Sequence, residues 1–182
     1  MAKKSSNGSK VSLVHKELIV CLLLTIGLYY LFYFVVNWTL PKSDESVVKL
    51  VYSLKWLIYP VTCLWLGVLV VVILKLFSGE LNPLIGKENT AHKNHTHYVQ
   101  NTIDNLLLLF FTVVMLSIYM PAKNMAIIPT VCIIFAIGRL FYWFGLCQGT
   151  IHSYFGRLMT IFTNIAPLMY LTVRILIMNF IK

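Results

Sequence analysis

The sequence predicts an all-α integral membrane protein whose chain crosses the bilayer five times. Hydrophobic residues make up 59% of the chain and charged residues only 12%, whereas a soluble domain carries about 25% charged residues. A membrane-spanning helix needs about 20 predominantly apolar residues. Runs of that kind occupy residues 18–36, 56–74, 98–120, 125–148 and 158–181.

The basic balance of the chain, a net charge of +9, is also explained by the membrane. Basic residues flank the apolar runs, and such flanks orient helices in a bilayer. The sequence contains no nucleic-acid-binding motif, so its charge alone does not indicate an RNA or DNA partner. The cysteines lie within apolar segments and are expected to pack as buried thiols: Cys21, Cys63, Cys132 and Cys147.

The N-terminal segment sets the expected orientation. Residues 1–17 are polar and basic, which predicts a disordered cytosolic tail. Residues 18–39 lack a small-residue cleavage site, so we expect an extra transmembrane anchor helix that is retained. The positive tail favours a cytosolic N-terminus. Alternation then assigns loops 78–97 and 149–157 to the cytosol, and loops 41–45 and 121–124 to the lumenal or extracellular side.

Three prolines, Pro60, Pro129 and Pro167, fall inside the apolar runs. Proline lacks the N–H that a helix interior uses. Each is therefore expected to kink its span, with neighbouring groups satisfying the freed carbonyl oxygen. The short 121–124 connection predicts that the third and fourth spans form an antiparallel hairpin.

A polar face marks the start of the third span. His97, Asn101, Asp104 and Asn105 recur at i, i+4, i+7 and i+8, a spacing that places them on one side of a helix. Ionisable groups at membrane depth are costly, so this face indicates either a site or a structural pair.

Asp104 and Arg139 are expected to lie close together. Asp104 lies about 9 Å along its helix from Tyr98, and Arg139 about 13 Å from Gln148 at the same end of the bundle. Their similar depth is compatible with a purely structural ion pair. It is equally compatible with a polar cavity, open to the cytosol, that binds a charged small molecule. Tyr142 follows Arg139 by three residues and is placed to donate a hydrogen bond into that cavity.

His92, His95 and His97 form the other cluster of ligand-type side chains. No cysteine lies near them in the sequence, and few acidic residues do. We therefore interpret them as solvated histidines and predict no metal site.

The pattern Asn101-x-x-Asp104-Asn105, followed by an apolar run, resembles the second-helix signature of the MAPEG superfamily (membrane-associated proteins in eicosanoid and glutathione metabolism). Arg139-x-x-Tyr142 is similar to the third-helix motif of that family. The resemblance covers residues 50–182 and implies a MAPEG-like four-helix bundle, preceded here by the extra helix. It also implies a homotrimer with glutathione bound between protomers. The implied glutathione contacts are His97, Asn101, Asp104, Asn105, Arg139 and Tyr142.

Departures from the family pattern bear on catalysis. The family's enzymes carry an arginine at the start of the last span that stabilises the glutathione thiolate, and the resemblance implies this catalytic role for Arg157. The loop before Arg157 is longer here than in those enzymes. The family's first arginine is replaced by His97, its glutamate by Asp104, and a third-helix tyrosine by Leu146. Together with the extra span, these departures make the chain most similar to the mattrin group (transmembrane protein seventy-nine).

That resemblance implies a non-catalytic or weakly catalytic protein of Golgi, lysosomal or other endomembranes, or of the plasma membrane. Such a protein acts through membrane partners in secretory and lysosomal traffic, including the control of Wnt receptors. The alternative is a glutathione-dependent transferase or peroxidase that acts on lipophilic electrophiles. A small transporter or channel subunit is disfavoured, because the sequence contains no broken-helix repeat.

Overall fold

A computed structural model describes residues 5–78, 90–148 and 153–180, and every regular element within these ranges is helical. Five segments are long and apolar enough to cross a membrane, which confirms the predicted number of spans. The helices are α1 (Ser5–Tyr30, continued by a π-helical turn at Leu31–Val35), α2 (Ser46–Trp56), α3 (Ile58–Ser78), α4 (Thr90–Tyr119), α5 (Ile127–Cys147) and α6 (Ser153–Phe180), with a 3-10 turn at Ala122–Asn124.

The N-terminal segment differs from the sequence prediction. Helix α1 begins at Ser5, so residues 5–17 extend a helix where we predicted a disordered tail. The physical reason is cooperativity: adding a residue to an existing helix costs far less than starting a new one. No proline interrupts this stretch, which therefore continues the helix of the first span.

The prolines have three different outcomes. Pro60 lies just beyond the interruption between α2 and α3 at Leu57, where its missing N–H leaves the Trp56 carbonyl without a helical partner. Pro129 sits in the first turn of α5, where its N–H would have no intrahelical acceptor, so a kink is not required there. Pro167 remains inside α6.

The α2 and α3 helices form one span that begins at Ser46, ten residues earlier than the apolar run predicted. Lys49 lies inside it and is only 6% exposed. Its Nζ atom donates a hydrogen bond of 2.9 Å to the Met120 carbonyl, just beyond the end of α4. Lysine side chains interact favourably with the last carbonyl groups of a helix. This contact explains why Lys49 lies at the lumenal or extracellular end of the bundle, where the charge bias predicts few basic residues.

Helix α5 is the centre of the bundle. In its most apolar stretch 61% of the residues are buried, against 11–33% for the other spans. Its side chains pack with those of α4 into the main core, which contains Leu109, Val113, Leu116, Val131 and Phe135. Cys21, Cys63 and Cys132 are buried as predicted, whereas Cys147 is exposed at the end of α5.

Helices α5 and α6 approach each other closely at Gly156. A Cβ atom built there would contact the Tyr142 backbone nitrogen and lie 2.5 Å from the Gly138 carbonyl oxygen. Small residues at helix crossings in membranes allow such backbone contact. Gly156 therefore fixes the distance between the two helices that carry Tyr142 and Arg157.

Candidate functional site

A polar cluster joins α4, α5 and α6 at the end of the bundle where α4 and α6 begin and α5 ends. Six of the seven predicted site residues belong to it, namely His97, Asn101, Asn105, Arg139, Tyr142 and Arg157. The seventh, Asp104, lies outside. The cluster is built by side chains from three separate helices.

Arg139 is fully buried at the centre of the cluster. Its Nη1 atom donates to Asn101 Oδ1 at 2.8 Å, and Thr102 Oγ1 lies at 3.5 Å. The guanidinium carbon is 5.1 Å from the ring centroid of Phe135 and 5.7 Å from that of Tyr142, distances suited to cation–π attraction. The Nε and Nη2 atoms have no hydrogen-bond partner among the described residues.

Asp104 does not pair with Arg139, so the predicted ion pair is wrong. The carboxylate is exposed, and Asn101 takes its expected place beside Arg139. At 3.6 residues per turn, Asp104 points about 120° away from the buried line through Tyr98 and Leu109. The sequence pattern placed these four polar residues on one side of α4. In the structure α4 is rotated so that Asn101 and Asn105 face the bundle, whereas His97 and Asp104 are exposed.

Arg157 connects the buried part of the cluster to the surface. Its Nη2 atom donates to the Tyr142 hydroxyl at 2.8 Å and lies 3.4 Å from Nε2 of the exposed His97. Its guanidinium carbon is 5.2 Å from the Tyr142 ring centroid. Tyr142 is therefore shared between two arginines, since Arg139 contacts the same ring.

Asparagine side chains on α4 and α6 extend the cluster away from Arg157. Asn105 Nδ2 donates to the Asn101 carbonyl at 2.8 Å. Asn164 Nδ2 on α6 donates to the Asn105 carbonyl at 3.1 Å. Sequence analysis missed Asn164, although it follows Arg157 by seven residues and so lies on the same side of α6.

Tyr98 was also missed, since the sequence analysis used it only as a marker of depth. The structure buries it fully, with its ring centroid 5.4 Å from that of Tyr142 and 6.1 Å from that of Trp143. A Cβ atom at Gly67 would lie 2.7 Å from the Tyr98 ring. The glycine therefore makes the space that lets Tyr98 enter the cluster.

The histidines are only partly as predicted. His97 is exposed, whereas the ring nitrogens of His92 and the Nδ1 atom of His95 are buried without a hydrogen-bond partner in the described ranges. Those ranges contain no group of three or more side chains suited to hold a metal ion.

The cluster contains donors of the type that pairs with acceptor-rich or anionic groups. Its two arginines have no carboxylate partner among the side chains described, and unused donors remain on Arg139, Arg157 and Tyr98. Guanidinium groups form their strongest hydrogen bonds with carboxylates and phosphates.

Comparison with known proteins finds that the chain is similar to a named transmembrane protein. It is 28% identical over 130 residues to transmembrane protein 79 of Mus musculus, a match covering 71% of this chain and 33% of the relative. The match to transmembrane protein 79 of Bos taurus is 27% over 130 residues. The chain spans about a third of the length of these curated relatives. No family model and no solved structure matches it. This chain is a multi-pass membrane protein.

Proposed function

We propose that this protein is a MAPEG-like, non-catalytic or weakly catalytic member of the mattrin group. It acts through membrane partners in secretory and lysosomal traffic, including the turnover of Wnt receptors. The similarity to transmembrane protein 79 supports the group, and the motifs around Asn101 and Arg139 support the MAPEG-like fold. The proposal includes a homotrimer in an endomembrane, with the N-terminus and the polar cluster on the cytosolic side, as the charge bias indicates.

The single observation that carries the partner-binding role is the exposure of Asp104. This carboxylate lies within the third span, is exposed, and has no hydrogen bond or ion pair to another described residue. Around it Ile103, Leu107 and Leu108 are 45–56% exposed. An ionisable group facing lipid is costly, so a partner helix with a hydrogen-bond donor would relieve that cost.

Receptor turnover in cells tests this function. We expect expression of the full chain to change the surface level of a Wnt receptor, and Asp104→Leu to abolish the change because the contact is lost. Thr172→Val, at an exposed polar residue of α6, is the control and should behave as wild type.

An N-terminal tag on the same protein tests the proposed orientation: it should react with antibody only after the cells are permeabilised. If wild type reaches endomembranes and the receptor level does not move, the proposed function is wrong.

A second function, glutathione-dependent transfer or peroxide reduction, is favoured by one observation. The guanidinium groups of Arg139 and Arg157 both lie within 6 Å of the Tyr142 ring centroid. Each has an N–H group without a partner among the described residues, which suits the carboxylates and thiolate of glutathione. The residues of the cluster that would hold this ligand are His97, Asn101, Asn105, Arg139, Tyr142 and Arg157. The exposed Asp104, also a predicted contact, would reach the ligand only from outside the cluster.

Isothermal titration of glutathione into the purified protein separates the two functions. Under the leading proposal we expect no binding heat. Binding that Arg157→Met removes, and that Arg174→Met retains, would favour the enzyme instead. Arg174 is an exposed arginine of α6 far from the cluster, so its replacement controls for the loss of one positive charge.

A further inference from the structure

Helix α6 contains a carbonyl oxygen that its own backbone cannot satisfy. Pro167 lies inside the helix and has no N–H to donate to the carbonyl four residues earlier, that of Thr163. The Tyr29 hydroxyl of α1 donates to this carbonyl at 3.1 Å. A side chain from the first span therefore replaces the backbone hydrogen bond that the proline removes.

A second contact joins the same two helices in the same register. The Cys21 thiol donates to the Phe155 carbonyl at 3.4 Å, eight residues before the Tyr29–Thr163 contact on both helices. Thr25, which lies between these contacts along α1, is buried. Helices α1 and α6 therefore run parallel, and α1 contacts α6 along the half that precedes Pro167.

That half of α6 supplies its part of the polar cluster. It carries Arg157, which donates to Tyr142, and Asn164, which donates to Asn105. It also carries Gly156, where α6 touches the backbone of α5. A change in the path of α6 at Pro167 would move these groups relative to α4 and α5.

We infer that α1 is a positioning helix for α6, with Tyr29 as the positioning residue that compensates for Pro167. The predicted anchor helix at residues 18–39 would thereby have a second role. Through two carbonyl contacts, α1 holds the half of α6 that bears Arg157 and Asn164. This inference does not depend on the proposed function, because it concerns how the cluster is assembled and not what it binds.

The test is a double-mutant cycle in the full chain. Tyr29→Phe removes only the hydroxyl and should lower the thermal midpoint in detergent by about 2–4 °C, the shift expected for one interhelical hydrogen bond. Pro167→Ala restores an N–H four residues after Thr163. In that background Tyr29→Phe should no longer lower the midpoint, because the backbone satisfies the carbonyl. Tyr30→Phe is the matched control, since Tyr30 is 64% exposed.

Hydrogen–deuterium exchange distinguishes positioning from general stabilisation. Tyr29→Phe should speed exchange in residues 153–166 while leaving residues 58–76 of α3 unchanged, and Pro167→Ala should reverse the effect. Equal losses from Tyr29→Phe in both backgrounds would show that the hydroxyl does not compensate for the proline. No loss in wild type, or faster exchange across all helices alike, would also overturn the inference.

Discussion

Gly156→Ala is expected to destabilise the protein by about 3 kcal/mol, the upper end of the usual cost of overpacking. The added methyl group would meet the backbone of α5, with the Gly138 carbonyl oxygen at 2.5 Å and the Tyr142 Cα atom at 2.6 Å. A flexible side chain could move aside, but backbone atoms of a packed helix cannot. Helices α5 and α6 must therefore separate, and thermal unfolding in detergent should report the loss.

Gly27→Ala provides the matched control for this result. Gly27 is also inside a helix, but a Cβ atom there would meet nothing within 4 Å. Alanine favours the helix over glycine, so this change should be neutral or stabilise by up to about 1 kcal/mol. If Gly156→Ala is as well tolerated as Gly27→Ala, the close crossing of α5 and α6 is wrong.

Asn101→Leu is expected to destabilise by about 2–3 kcal/mol, the usual worth of a hydrogen bond to a charged group. Leucine keeps the approximate size of asparagine but removes the oxygen that accepts from Arg139 at 2.8 Å. The buried guanidinium would then retain only the weaker contact with Thr102 and two aromatic rings. The thermal midpoint of the single variant in detergent measures the effect.

A double-mutant cycle with Arg139→Met identifies the true partner of the arginine. Asn101→Leu and Arg139→Met should be strongly non-additive, because the double variant has no unpaired buried charge. Asp104→Asn and Arg139→Met should be additive, since Asp104 is exposed and makes no contact with Arg139. The opposite pattern would restore the Asp104–Arg139 ion pair that the sequence predicted.

The sequence by itself determined the membrane class, the number of spans and the depth of the polar residues. These depend on segment length and composition, which are properties of the chain alone. Because depth follows from distance along a helix, the sequence also brought His97, Asn101, Arg139, Tyr142 and Arg157 to the same end of the bundle. A polar cluster at that end could therefore be predicted without the structure.

Only the tertiary structure decided which polar side chain faces which helix. Asn101 and Asp104 point about 60° apart around α4, so the rotation of α4, set by its packing against α3, α5 and α6, decides which of them faces inward. This is why Asn101 and not Asp104 meets Arg139. The same holds for Tyr29 and Thr163, which are distant in the chain and become partners only because α1 packs beside α6.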